Sequence, residues 1–152
     1  MPNRYGLAIR AANAGDAEGI ATLMQAAGVA ADHGGLAVRL TEIPLQSGLV
    51  LLAEEWGPPS GVLALRWSWT LTDARKVAEV TALAVDPEQR RKGVARLLLK
   101  AASRAARSAE CGELRLLAPE DSLRQFCVAT GFDRVGETFT RPLRKRGGGE
   151  EI

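Results

Sequence analysis

Residues 79–99, EVTALAVDPEQRRKGVARLLL, constrain this chain more than any other stretch. They open with alternation: Val80, Ala82 and Ala84 point one way and Glu79, Thr81, Leu83 and Val85 the other, the period of a strand half inside a core. Asp86-Pro87 stops that strand, because proline has no N–H to give to a ladder and turns the residue before it away from helical angles. From Gln89 onward a helix is expected. Val94, Leu97, Leu98, Ala101, Ala102, Ala105 and Ala109 recur at helical spacing, with Arg96, Lys100, Arg104 and Arg107 mainly on the opposite side. Cys111-Gly112 would stop the helix, and residues 113–118, ELRLLA, then read as a strand with Leu114 and Leu116 facing one way. A strand, a crossover helix and a strand place the two strands parallel, and where such a pair splays it leaves a cleft.

Between strand and helix lies Arg90-Arg91-Lys92-Gly93-Val94-Ala95, a cationic first turn with a glycine inside it. Helix starts carry unpaired N–H groups and a partial positive charge, so they favour acidic residues, and cations there have the wrong sign locally. The conflict disappears if the turn holds a polyanion. Amide donors and the dipole then attract phosphate, Gly93 lets the ligand approach the backbone, and the side chains of Arg90, Arg91 and Lys92 add charge.

The remaining chain supports one domain over residues 1–143 with a tail at 144–152, RKRGGGEEI after Leu143, expected to be disordered. Residues 7–11 read as a strand. Asn13 and Asp16 then cap a helix carrying Ile20, Leu23 and Met24, which Gly28 ends. Residues 30–35 form a loop with Asp32 and His33, followed by a second helix over 36–43 before Pro44. Strands at 49–54 and 62–69 flank the turn formers of residues 55–61 and make a hairpin. Trp67 and Trp69 share one face of it, walling a pocket or filling core. Pro119 opens a short helix over 120–130 ended by Gly131, and residues 132–141 supply one or two final strands.

Two cysteines, Cys111 and Cys127, without a CxxC, and a single histidine, His33, offer neither a metal set nor a disulfide framework. A net charge of +2 with its cations gathered late in the chain is a poor footprint for nucleic acid. No run approaches the roughly 18 apolar residues of a membrane span. A cytoplasmic protein with neither nucleic acid nor membrane as a partner is expected.

The turn resembles the acyl-CoA motif of the GNAT N-acetyltransferase superfamily, (Q/R)-x-x-G-x-(G/A), which reads here as Arg90-x-x-Gly93-x-Ala95. A second signature, the Gly-Phe after the last helix, is Gly131-Phe132. The resemblance implies an α/β (α+β) GNAT fold: a mixed, mostly antiparallel sheet, a parallel strand pair that splays to hold acyl-CoA, and helices on both faces. It implies acetyl-CoA as co-substrate, with amides around Arg91, Lys92, Gly93, Val94 and Ala95 on the pyrophosphate and the backbone of Leu83, Ala84 and Val85 pairing with the pantetheine arm. It further implies acetylation of a small-molecule amine by direct attack in a ternary complex, and a homodimer, an assembly common in the family. Acetylation of a protein N-terminus or lysine, and a silent acyl-CoA-binding module, are the alternatives.

An amine protonated at neutral pH must lose a proton before it attacks. Glu79, eleven positions before Arg90 where many members carry a glutamate, is the candidate base. His33, in a segment that borders the acceptor in this family, is a candidate substrate contact. Two family positions differ. The asparagine often found eleven residues before the second motif's glycine is Glu120 here, leaving Asp121 and Ser122 as substitutes for that pantetheine contact. The tyrosine that often protonates the departing thiolate is Cys127, which either donates that proton or packs as a small hydrophobe.

Overall fold

The structure, a computed structural model, describes residues 6–90, 92–117, 121–136 and 138–143, apart from the side chains of Asp121 and Ser122. Five strands lie in sequence order in one sheet: β1 (Ala8–Ala11), β2 (Gly48–Glu54), β3 (Gly61–Ser68), β4 (Lys76–Val85) and β5 (Cys111–Leu116). The helices are α1 (Ala17–Ala26), α2 (Leu36–Glu42), α3 (Val94–Ser108) and α4 (Asp121–Ala129). Successive strands from β1 to β4 are antiparallel, whereas β5 is parallel to β4, as the α3 crossover requires.

Each face of the sheet buries its own core. On one side Leu51, Ala53, Leu63, Leu65, Ala78 and Val80 meet Val94, Leu98, Ala102 and Ala106 of α3. On the other, Val50, Leu52, Val62 and Ala84 meet Ile20, Leu23 and Met24 of α1 and Leu40 of α2. Burying a leucine as fully as Leu52, Leu63, Leu65 or Leu98 contributes about 1.5–3 kcal/mol each, so these residues anchor both layers. Gly61 sets how closely α3 approaches. A Cβ there would come within 2.7 Å of Val94 Cγ1 and 2.9 Å of Leu98 Cδ1, so glycine lets the first turns of α3 rest directly on β3.

Three expectations are corrected. The long helix begins at Val94 instead of Gln89: a 3-10 turn over Pro87–Gln89, capped by Asp86 accepting from the Glu88 amide, comes first. That helix is ended by Glu110 in the left-handed region (φ 64°), and Cys111 and Gly112 already belong to β5. Residues 132–141 form no strand among the described residues. Their apolar side chains, Val135 and Phe139, are 89% exposed and find no core to cover, so burial supplies nothing to hold a further ladder. The helix over 120–130 is seen as α4; Pro119, Glu120 and the tail at 144–152 lie outside the described residues.

Candidate active site

β4 carries a bulge. Ala64 pairs with Ala82 and Leu65 with Val80, which leaves Thr81 without a partner of its own on β3. One inserted residue reverses which face each later side chain takes. Ala78 and Val80 face the α3 core, and so do Leu83 and Val85 beyond the bulge, while Ala84 faces α1 and α2. Simple alternation, which grouped Val80 with Ala84 and Glu79 with Leu83, fails for this reason. Pairing with β5 ends at Val80–Leu116, yet β4 continues to Val85. Among the described residues, the strand beyond the bulge therefore offers a length of edge with no β5 ladder, beside Leu83, Ala84 and Val85. An extended ligand with amides can hydrogen-bond there as an added strand.

The chain then turns through Asp86 and the 3-10 segment into the start of α3. Gly93 is its N-cap, at φ +79° and with no side-chain cap, and no acidic residue stands in the first turn. A Cβ on Gly93 would meet nothing within 4 Å, so the space over this turn is open. The amides of Val94, Ala95 and Arg96 thus open the helix beside this space with no side-chain cap, an arrangement that can receive phosphate. Arg90 and Lys92 are exposed in the segment before the helix; they flank its first turn, where the sequence had placed them inside it. Arg91 lies outside the described residues.

Glu79 sits on the face of β4 opposite the α3 core, opposite Arg66 of β3 and Arg115 of β5 in the ladder. Its Oε1 accepts from Arg66 Nε at 2.8 Å and pairs with Arg66 Nη2 at 2.6 Å. The two side chains are 40% and 67% exposed, so the carboxylate remains in reach of a solute. Arg115 is turned to the carboxylates of Glu113 (2.6 Å) and Asp73 (3.2 Å).

Cys127 is buried in α4, and burial pushes its thiol up from the ordinary range. It is therefore a neutral thiol at physiological pH and no nucleophilic thiolate. Its carbonyl accepts from the Phe132 amide at 2.9 Å, closing the helix at Gly131 (φ +91°). Ser122 occupies the first turn of α4. His33 is exposed and lines a shallow groove of about 320 Å³ between α1 and α2 with Glu18, Leu36 and Val38. Trp67 is partly buried against the α3 core, whereas Trp69 lies beyond β3, is 70% exposed and sits 5.9 Å beneath the Lys76 ammonium.

Between α3 and α4 runs a second groove of about 380 Å³, lined by Arg96, Leu99, Lys100, Ser103, Ala129 and Thr130. Sequence reasoning left Arg96 and Lys100 on a solvated face; their i, i+4 spacing on a helix that starts with an anion-type turn was the available signal. It also missed Arg66, whose place beside Glu79 depends on β3–β4 register.

The model of the Acetyltransferase (GNAT) family matches residues 22–132. No curated protein matches the chain in sequence. Among solved structures, a putative acetyltransferase from Agrobacterium tumefaciens str. C58 superposes with a TM-score of 0.75 at 23% identity, covering 90% of this chain and 99% of that one. AAC(6')-Iy, in complex with the bisubstrate analogue CoA-S-monomethyl-acetylneamine, gives 0.75 at 21% identity over 91% and 98%. The ribosomal-protein-alanine N-acetyltransferase of Brucella melitensis biovar Abortus 2308 gives 0.75 at 17% identity over 91% and 99%.

Proposed function

Because the chain belongs to the GNAT acetyltransferase family, we propose that it moves an acetyl group from acetyl-CoA to a primary amine of a small molecule by direct attack in a ternary complex. The observation that carries this is the uncapped start of α3 at Gly93, placed directly after the unladdered end of β4. The same two features suit coenzyme A: the open space over Gly93 admits a pyrophosphate, and β4 beyond Thr81 admits a linear amide chain. Arg96 and Lys100, in the groove beside them, suit the nucleotide end of the same molecule. Ser122, in the first turn of α4, is a further candidate contact.

Acetyl-CoA supplies an acyl carbon activated by a thiolate leaving group. In the transfer, the ammonium proton passes to Glu79, directly or through water, the freed amine lone pair forms the C–N bond, and the C–S bond breaks. The second proton that the nitrogen loses as the amide forms replaces the one taken by the departing thiolate. Both Arg66 contacts fall on Glu79 Oε1, which leaves Oε2 for the ammonium proton. The departing thiolate takes a proton from Cys127 or from water. Because burial makes the Cys127 thiol a weaker acid than an ordinary thiol, its donation to a thiolate runs uphill, which favours water as the donor.

Residues 1–143 form the catalytic domain in this reading, working in the cytoplasm where acetyl-CoA is available. The exposed apolar side chains Val135, Phe139 and Leu143 favour a homodimer, checked by sedimentation equilibrium.

Release of free CoA thiol from acetyl-CoA, followed colorimetrically across small amines, aminoglycosides and peptides, tests the proposal. Small amines are expected to give turnover. Turnover confined to peptides would reassign the acceptor, and binding of acetyl-CoA with no thiol release would leave a silent binding module. Glu79→Gln should lower the rate by about a hundredfold or more with acetyl-CoA affinity unchanged, the deficit shrinking at high pH where the amine is already free. Cys127→Ala and Cys127→Tyr separate donor from packing: loss in the first with retention in the second marks the acid.

A further inference from the structure

Arg66, Glu79 and Arg115 stand in register on three neighbouring strands and on the same face of the sheet. Adjacent strands are about 4.8 Å apart, so the row alternates cation, anion, cation over about 10 Å. Helices α1 and α2 cover the Leu52, Val62 and Ala84 part of this face, whereas the three charged side chains are 67%, 40% and 48% exposed. An ion pair this exposed contributes little to stability, so fold alone does not account for it. Both contacts from Arg66 fall on Oε1 of Glu79, and they use Nε and Nη2. Among the described residues, Oε2 of Glu79 and Nη1 of Arg66 make no further hydrogen bond, which puts an open acceptor next to an open charged donor.

Resting on the acetyltransferase reading, we infer that the acceptor is a zwitterion, an amine that carries its own carboxylate, with the ammonium on Glu79 and the carboxylate on Arg66. A simple cationic amine approaching Glu79 must come within a few ångströms of the Arg66 guanidinium and is repelled by it. A carboxylate on the same molecule turns that repulsion into a charge-assisted hydrogen bond. Arg115, one strand further on, is already committed to the carboxylates of Glu113 and Asp73, which leaves Arg66 as the cation of the row that can take the acceptor's carboxylate. Arg66 is then the residue that selects the acceptor, and Glu79 the one that takes its proton.

The experiment pairs amino acids with their amides, glycine with glycinamide, L-phenylalanine with L-phenylalaninamide and L-lysine with L-lysinamide, in wild type, Arg66→Gln and Arg66→Lys. The readout is the ratio of kcat/KM for acid over amide. Taking that ratio between variants cancels the intrinsic difference in amine basicity. Arg66→Gln should lower the ratio about tenfold to a hundredfold for the pair that is turned over best, with Arg66→Lys intermediate. In parallel, the same amino acids added to the CoA-bound protein should raise its melting temperature more than the amides do, and Arg66→Gln should erase that difference. A ratio indifferent to Arg66, or a preference for spermidine over every amino acid, overturns the inference while acetyl transfer stands. An acid-specific melting shift without thiol release keeps the zwitterion site and removes the catalytic reading. Neither turnover nor shift for any amino acid overturns the inference as well.

Discussion

Two helices of this protein begin in opposite ways. The 3-10 turn Ala14–Asp16 that leads straight into α1 is closed by the protein itself: Asn13 Oδ1 accepts from the Gly15 amide, the Asp16 carboxylate accepts from the Asn13 amide, and Asp16 is clamped by Arg10 at 2.7 Å. The start of α3 has a glycine cap in the left-handed region, no side-chain cap, no acid, and cations beside it. The capping box satisfies amides at the first entry and adds stability there; at the second no side chain does so, the kind of start that can receive an anion.

Breaking the open start should have the largest effect. At φ +79° a β-branched residue is strained and its side chain enters the vacant approach, so Gly93→Val should weaken CoA binding by about a hundredfold or more. Isothermal titration measures this, and undiminished affinity would mean that the turn does not hold the pyrophosphate. Breaking the closed start should instead cost stability alone. Asp16→Asn loses the charged partner of Arg10 and weakens the capping box, about 1–2 kcal/mol by urea unfolding, with CoA affinity unchanged.

Acid should erase that second difference. The Arg10 hydrogen bonds hold the Asp16 carboxyl below the usual carboxylate range, against a smaller opposing push from burial. A depressed carboxyl stabilises the fold fully above its unfolded value near about 3.9 and loses that contribution as pH falls through its lower folded value. The stability gap between wild type and Asp16→Asn should therefore be full at neutral pH and close progressively below about pH 4. The smallest effect sharpens the open start: Lys92→Gln, an exposed cation beside the turn, should reduce CoA affinity a few-fold, and more so at low salt than at high. A salt-independent loss would point to a direct contact in place of a diffuse field.

Much of this molecule was legible in residue order. The Asp86-Pro87 stop, the helical period from Val94 onward and the Asn13–Asp16 cap are local signals, and each appears where its chemistry requires. The parallel placement of β5 was legible as well, since a crossover helix of this length leaves no other arrangement. Glu79, Arg90 and Gly93 were visible through spacing to one motif.

What residue order concealed depends on pairing between distant segments. The bulge at Thr81 arises from how β3 registers against β4, and a sequence read at period two cannot contain it. It moves Glu79 to the face opposite Leu83, which brings the carboxylate to Arg66, thirteen residues away in the chain. Among the described residues the β4–β5 ladder ends at Val80, and that end likewise depends on how two strands far apart in the chain are paired. The strands expected at 132–141 are not seen among the described residues, where Val135 and Phe139 stay exposed with no core over them. Sequence by itself determined most of the elements and named the turn at Gly93 as a candidate, because caps, stops and periods act within a few residues. Tertiary structure alone decided which charges face the cleft, because burial and register are set by neighbours that the local chain does not know.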